Sequence, residues 1–367
     1  MGRRSVKPVI IADKVATQQD VGIAARLLAA YQAASQSASQ SQPEPGRNDV
    51  WTMITARQQH FSSLLELGNP NELATYLCNV SRHDASVGIT QGDQEFHRIL
   101  SRRSYRKYLA QMANDKLVSL AEAIGALPVE NPEQGSFGRN VRRKPSELVE
   151  LIAACVGTDI APPDIDGGLL KIEAGGGFFG ERDANAIYTA HLLRQTACRL
   201  GASHICEIGG GSGRVAYWSR RFGLTSYTLI DLPHVNVVQG YYALKSLHSD
   251  EVSLYGEHSA ETLDGRLRIL PAHVIKEVCD PDFDLFLNQD SFPEMSTATV
   301  IEYLEWIKRS GGSLMSINHE SKPPYGDGLA HVSVPELIKD LGGFESTYRF
   351  PYWLRRGYVV ELQRVTP

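Results

Sequence analysis

The segment His204-Ile205-Cys206-Glu207-Ile208-Gly209-Gly210-Gly211-Ser212-Gly213-Arg214 constrains this chain more than any other. A short apolar run stops at a glycine-dense bend, and a helical stretch, Val215 to Phe222, follows at once. Glycine adopts backbone conformations that other residues avoid, so the pattern predicts a tight strand-to-helix turn. The same absence of Cβ atoms lets the main chain approach a ligand closely. The dinucleotide-binding version of this turn needs a third glycine in G-x-G-x-x-G, where Arg214 stands. Counting from Gly210 instead puts Ser212 at the second glycine. A phosphate-binding loop is excluded because no Gly-Lys-Ser/Thr follows. The bland alternative is a turn whose glycines serve only close packing.

The downstream sequence fits a sheet that such a turn would begin. A second strand, Tyr227 to Ile230, ends in Asp231 beside Leu232. An acidic side chain at that position can accept hydrogen bonds from both hydroxyls of a ribose. A third strand, Leu267 to Leu270, leads to Pro271-Ala272-His273, where His273 could border an adenine ring or be an ordinary polar loop residue. The fourth strand, Phe283 to Leu287, is followed by Asn288-Gln289-Asp290-Ser291. After a helix over 296–309, Gly311-Gly312 turns into a fifth strand, Ser313 to Ile317, ending in Asn318-His319-Glu320. Phe344 to Phe350 and Tyr358 to Arg364 read as two closing strands. Short apolar strands alternating with helices predict a parallel α/β sheet. Ligands of such sheets gather at the carboxyl ends of the strands, where Asp231, Asp290, His319 and Glu320 all fall.

The first half reads as helical. Val21, Ala24, Leu27, Leu28 and Tyr31 recur at helical spacing within 15–34, and the polar tract 35–46 predicts a mobile linker. Helices are predicted over 49–66, from Pro70 onward with Asn69 as cap and Glu72 reaching back, over 93–124, over 146–156 and over 184–200. The proline- and glycine-rich stretch 158–183 reads as loop. At 367 residues and roughly 150 residues per domain, the organisation expected is an amino-terminal helix and flexible linker (1–48), an α-helical cap or substrate domain (49–185) and a Rossmann-like catalytic domain (186–367).

Composition narrows the partners. Lys and Arg number 37 against 42 Asp and Glu, for a net charge of −5, and neither half is basic. That excludes a nucleic-acid backbone as the main partner. Arg3-Arg4 is followed only by Val9-Ile10-Ile11 before Asp13 and Lys14, too short for a signal sequence, and no run approaches a membrane span. Five widely spaced cysteines without a Cys-x-x-Cys pair predict reduced thiols in a cytoplasmic protein, with neither a disulfide framework nor a zinc site.

Glu207-x-Gly209-x-Gly211-x-Gly213, together with Asp231, resembles the class I S-adenosylmethionine-dependent methyltransferases. Ile230-Asp231-Leu232-Pro233, Asn288-Gln289-Asp290-Ser291-Phe292-Pro293-Glu294-Met295 and Ser316-Ile317-Asn318-His319 are similar to the sugar O-methyltransferases of bacterial natural-product and surface-polysaccharide pathways. The resemblance covers residues 186–365 and extends more loosely through Gly88-Ile89-Thr90-Gln91-Gly92. It implies a seven-stranded methyltransferase sheet with its last strand antiparallel and an α-helical cap over the acceptor. It also implies S-adenosylmethionine held by Glu207, Gly209, Gly210, Gly211, Gly213, Asp231, Leu232, His273 and Asn288. The acceptor implied is a hydroxyl of a sugar or glycosylated natural product. Two rivals stand beside it: methylation of a small non-sugar metabolite on oxygen, nitrogen or carbon, and a regulatory protein that binds the nucleoside without catalysis.

Methyl transfer to an alcohol needs a base or a metal beside the hydroxyl. Asp290 and Glu294, four residues apart, could take the proton or jointly hold a hard cation such as Mg²⁺. No tight ligand cluster calls for that metal, and no residue is assigned as a metal ligand. Asp290 also suits a helix cap, and Glu294 a solvated helix-start charge. His319 has the pKa best matched to base work near neutrality, or is a satisfied core histidine. Glu320 could orient His319 or face water. Arg98, Arg102, Arg103, Arg106 and Lys107 could attract an anionic acceptor, or form a solvated face. Phe178-Phe179 could line the pocket or join the core, and the amino-terminal helix suits exchange within a homodimer or a free arm.

Overall fold

Strand residues alternate between two faces, and that period of two decides what each half of the chain covers. The computed structural model describes residues 6–40, 50–89, 93–133, 135, 137–165, 170–257, 265–276, 283–321 and 331–366. Its strands are β1 (Val9–Ile10), β2 (Leu170–Ala174), β3 (Gly177–Phe179), β4 (His204–Ile208), β5 (Ser226–Asp231), β6 (Val252–Leu254), β7 (Leu267–Pro271), β8 (Leu285–Gln289), β9 (Ser313–His319), β10 (Phe344–Pro351) and β11 (Tyr358–Val365). Helices of the first half are α1 (Gln18–Gln40), α2 (Val50–Arg57), α3 (Gln59–Leu67), α4 (Pro70–Leu77), α5 (Asp93–Ser101), α6 (Arg103–Ala123) and α7 (Pro145–Val156). The second half adds α8 (Glu181–Leu200), α9 (Arg214–Arg221), α10 (Pro233–Ser246), α11 (Thr297–Ser310) and α12 (Val334–Leu341).

The main sheet runs β10-β11-β9-β8-β4-β5-β7-β6. Strands β4 to β9 are mutually parallel, while β11 is antiparallel to both β9 and β10. The fold is therefore the expected Rossmann-like α/β class with an antiparallel closing strand, but it has eight strands where seven were expected. The additional one is the edge strand β6, which pairs in parallel with β7 from Val252↔Leu267 to Leu254↔Ile269. Three residues between a helix and Gly256 are too short a run to stand out by pattern.

Along β4, Ile205 joins a core shared with the first-half helices and with α8 to α10, while Cys206 and Ile208 join a second core with Phe286, Leu304 and Trp306 under α11 and α12. Leu285 and Leu287 of β8 repeat that split against Phe286. Glu207 points to the first-half side, as its place between Cys206 and Ile208 requires.

Local departures from the sequence reading have simple causes. The 158–183 stretch contains the β2–β3 hairpin, turned by Gly175 and Gly176 at φ 56° and 80°, a conformation glycine adopts at no steric cost. Phe179 is fully buried in it. The helix predicted over 93–124 breaks at Arg102, whose φ of −123° and ψ of 104° are extended. Helix α1 continues to Gln40, into the tract predicted as linker; residues 41–49 lie outside the described residues.

Helix α1 packs on α4 and α10. Gly240 makes the second contact possible, since a Cβ there would sit 2.4 Å from Leu27 Cδ2. Buried Asp20 accepts from the Thr17 amide (2.8 Å) and the Tyr241 hydroxyl (2.8 Å) and lies 2.9 Å from Lys245 Nζ. Arg26 donates to Val252 O at 2.7 Å and pairs with Glu257.

Candidate functional site

The strand order reverses at β4, which has β5 on one side and β8 on the other. Chains leaving neighbouring carboxyl ends in opposite directions open a crevice there. It contains a cavity of about 410 Å³, lined by Glu207, Gly209, Gly210, Gly211 and Ser212 on one wall and Gln289, Asp290, Ser291 and Glu294 on another. That volume lies in the range of small-molecule sites.

Two glycines are required by close approach. Gly209 has φ 74°, and a Cβ on it would fall 2.1 Å from Ser291 Oγ; one on Gly210 would fall 2.5 Å from Leu229 Cδ2 and 3.1 Å from Glu207 Cδ. The loop is thus pressed onto β5 and the end of β8. Gly211, at φ 57°, has nothing within 4 Å of its missing Cβ, so its backbone is open on that side. Gly213, at φ 79°, precedes α9. Arg214 lines the cavity but is held from behind. Its Nε is 3.4 Å from Asp183 Oδ1, its Nη1 donates to Ser212 Oγ at 3.0 Å, and its guanidinium lies over the Tyr242 ring.

Beneath the loop, Glu207 accepts from the Tyr227 hydroxyl at 2.9 Å. Burial, reinforced by the charge of Asp231 and opposed by that hydrogen bond, raises its pKa to about 8. Asp231 accepts from Leu232 N (2.8 Å) and Gln239 Nε2 (2.7 Å), and burial raises its pKa to about 7 against the pull of these donors and of the Gly211 and Gly210 amides. Asp231 and Leu232 line a smaller, mostly apolar pocket of about 40 Å³ with Ile230, Ala272, Met295 and Tyr303. This pocket shares Trp51, Gly209 and Ser291 with the larger cavity, so the two adjoin.

On the β8 side, Asp290 has φ 69°, the single positive value outside glycine among the described residues. Such backbone is strained and clusters at functional sites. Its carboxylate is held by Arg355 Nη1 at 2.5 Å and by the Tyr358 hydroxyl. Half-buried Glu294 has a pKa raised to about 7, by burial first and then by the charge of Asp290, with Arg355 and Arg182 opposing.

The other sequence candidates lie elsewhere. Asn288 is fully buried, donating to Ile208 O (3.0 Å) and Ser291 Oγ (2.6 Å) while accepting from Asn318 Nδ2 (2.9 Å) and Phe292 N (3.3 Å). Its two donors and two acceptor positions all serve to brace the ends of β4, β8 and β9. His273 turns to α1, its Nε2 2.6 Å from Ser37 Oγ, and its neighbour Ala272 lines the small pocket instead. His319 packs its ring on His331 (4.5 Å) and Tyr358 (5.6 Å), outside the cavity lining, and Glu320 pairs with Arg349. Arg98, Arg102, Arg103 and Lys107 are exposed on α5 and α6, outside the cavity lining.

Sequence reasoning missed Trp51, Glu181, Arg182, Asn185 and Arg355, which complete the cavity. Gly88 and Ile89, from the segment of looser resemblance, also line it, while Thr90 to Gly92 lie outside the described residues. Glu181-Arg182 directly follows a Gly-rich stretch and opens a helix, which was the one available signal. No group of three or more His, Cys, Asp or Glu among the described residues is placed to hold a metal ion, and no described helix is long and apolar enough to cross a membrane. Cys78, Cys155, Cys198 and Cys206 are unpaired thiols; Cys279 lies outside the described residues.

No family model and no curated protein matches the chain. Among solved structures it is similar to the glycopeptide N-methyltransferase MtfA, at 14% identity and TM-score 0.36 over 49% of this chain and 96% of that one. The 1,6-didemethyltoxoflavin-N1-methyltransferase of Burkholderia thailandensis, holding S-adenosylhomocysteine, matches at 18% identity and TM-score 0.33 over 50% and 79%. The ribosomal protein L11 methylase of Lactobacillus delbrueckii subsp. bulgaricus matches at 12% and 0.33, over 50% and 80%. Each likeness spans about half of this chain.

Proposed function

We propose that this chain is an S-adenosylmethionine-dependent O-methyltransferase whose acceptor is a hydroxyl of a sugar or glycosylated small molecule. The observation that carries the reading is one crevice in which the open glycine loop and buried Glu207 face the carboxylates of Asp290 and Glu294. The residues present fit the donor. Gly211 leaves backbone open toward a ligand, Glu207 is a buried carboxyl suited to an ammonium group, and Asp231 borders a mostly apolar pocket suited to the base and ribose of a nucleoside. When bound, S-adenosylmethionine supplies an electrophilic methyl group on a sulfonium centre.

The chain's own residues do the rest. Glu294, titrating near neutrality, is matched to accept the proton of an acceptor hydroxyl. Asp290, fixed by Arg355 and Tyr358, orients that hydroxyl and keeps Glu294 basic. Fixing the acceptor against the donor removes much of the entropic barrier. Planar polar side chains (Glu181, Asn185, Gln289, Asp290) beside Trp51 suit an acceptor with several hydroxyls and an apolar C–H face, because such groups can bridge neighbouring hydroxyls while the indole covers carbon.

The test is turnover with methyl-labelled donor across deoxysugar, nucleotide-sugar, phenolic and amine acceptors, with product identified by mass spectrometry. Methylation of a sugar hydroxyl supports the reading; turnover confined to amines or phenols overturns the acceptor class, and an inert protein overturns the activity. In parallel, Asp231→Ala should weaken donor binding by about 1.5–3 kcal/mol, the worth of a hydrogen bond to a charged group. Unchanged affinity by calorimetry would remove Asp231 from the donor site.

A further inference from the structure

Two guanidinium groups reach the acceptor side of the crevice from separate parts of the fold. Arg182 stands in the first turn of α8, and Arg355 in the turn joining β10 to β11; both line the 410 Å³ cavity with Asp290 and Glu294. We propose, resting on the transferase reading above, that the acceptor carries an anionic group, a carboxylate or a phosphate, seated between Arg182 and Arg355.

The two arginines are both exposed and are held by different partners. Arg182 exposes its side chain to the cavity while protein crowds around it, and its Nη1 donates to Ile89 O at 3.3 Å. Arg355 has 44% of its side chain exposed and stacks 3.8 Å over the Tyr358 ring. The stacking fixes the plane of the guanidinium, so its five donors form a preset fork, of which the Asp290 bond uses one. A fork of that kind matches the two oxygens of a carboxylate or phosphate.

Charge balance favours the same occupant. Crowding depresses the pKa of Arg182, and the positive charge of Arg355 adds to that effect while Glu181, Asp290 and Glu294 oppose it. The two cations therefore lie within electrostatic reach of each other, a repulsion that an anion between them relieves. Arg182 and Arg355 stand against Glu181 and Asp290, while at neutrality Glu294, titrating at about 7, is half ionised and Glu207, at about 8, is mostly protonated before the donor binds. A donor with a sulfonium, an ammonium and a carboxylate adds one net positive charge. Glu207, ionised when the donor binds, answers that charge, and the repulsion between Arg182 and Arg355 is left for the acceptor to relieve. The exposed basic face on α5 and α6, which the sequence offered for this task, lies outside the cavity lining.

The test uses the full chain saturated with S-adenosylhomocysteine and titrated calorimetrically at constant ionic strength. Acetate and glucuronate form the carboxylate arm, inorganic phosphate and glucose 1-phosphate the phosphate arm, and glucose is the neutral control. Saturable binding of at least one arm, weakened about ten- to hundredfold in Arg355→Gln and in Arg182→Gln and partly restored in Arg355→Lys, supports the proposal. The arm that binds more tightly identifies the anion. Absence of saturable anion binding, or binding that both glutamine variants retain, overturns it. Binding of S-adenosylmethionine to the wild-type chain is measured beside it: its loss defeats the transferase reading, while its presence without anion binding defeats this inference alone.

Discussion

The Tyr227 hydroxyl donates to Glu207 Oε2 at 2.9 Å directly beneath the glycine loop, with both side chains buried. That single bond does not offset burial, and the carboxyl titrates at about 8. A cationic ammonium selects the ionised form, so donor binding near neutral pH should release protons. Calorimetry in buffers of differing ionisation enthalpy should show close to one proton released per donor at about pH 7, falling away above about pH 9. Heat that is independent of the buffer would contradict the pairing.

The same group makes a stability prediction. Its folded pKa lies above its unfolded value of 4.5, so the unfolded chain loses this proton first as pH rises. Glu207 therefore costs the donor-free protein stability progressively from about pH 4.5 to about pH 8. Glu207→Gln should lack that slope, gaining about 4 kcal/mol over wild type by pH 8 while binding the donor about tenfold or more weakly. Parallel stability curves for the two proteins would show that Glu207 is not the group responsible.

Gly209→Ala should be severe because two costs add. The alanine would occupy a left-handed backbone, φ 74°, and its methyl would overlap Ser291 at 2.1 Å from Oγ and 2.5 Å from Cβ. We expect a loss of about 2–4 kcal/mol in unfolding free energy and of measurable donor binding. Ser291→Gly in the same chain removes the overlap but not the backbone strain. Partial recovery of stability is the expected outcome, and no recovery would mean that the overlap is not what limits the loop.

The parts of this fold that repeat on a short period were readable, and those that depend on distant elements were not. Strands β4, β5, β7, β8 and β9 declared themselves as short apolar runs, because neighbours such as Ile205 and Cys206, or Leu285 and Phe286, fill cores on opposite faces of the sheet. Edge strand β6 escaped, since three residues carry no period. Asp231 and Asp290 were found because a strand end is a position in sequence. Arg355 was not: it reaches Asp290 from 65 residues away through a turn with no pattern of its own. His319 shows the converse, a strand-end residue whose ring turns away to pack on Tyr358 and His331. Position along a strand locates the edge, while the side chain's neighbours decide its use.

Glu294 and His319 can be told apart by kinetics. Glu294 lines the cavity and titrates at about 7. As the base it must be ionised, so kcat should rise with pH through about 7 and level off above. Glu294→Gln should lose about 10²–10⁴-fold in kcat, flatten that rise and leave donor affinity unchanged. His319→Ala should lower kcat by less than about tenfold and preserve the pH profile, since its ring packs on Tyr358 and His331 and is not part of the cavity lining. A profile abolished in His319→Ala and retained in Glu294→Gln would reverse the two roles.

Asp20 ties the amino-terminal helix to α10. Against the cost of burial, the Thr17 hydroxyl and amide, Lys245 and the Tyr241 hydroxyl hold its pKa well below the ordinary carboxylate range. A depressed folded pKa means stability that is fully present above about pH 4 and is lost as the carboxylate protonates at lower pH. Asp20→Ala leaves Lys245 and Tyr241 facing a buried space, and should cost about 3–5 kcal/mol at neutral pH. The deficit should shrink as both proteins are taken below pH 4, where the unfolded wild-type chain takes up a proton that the variant lacks. Urea melts of the two proteins at pH 7 and at about pH 3 measure the difference directly. An equal deficit at both values would mean that the α1–α10 contact rests on the packing of Leu27 against Gly240 rather than on this charge.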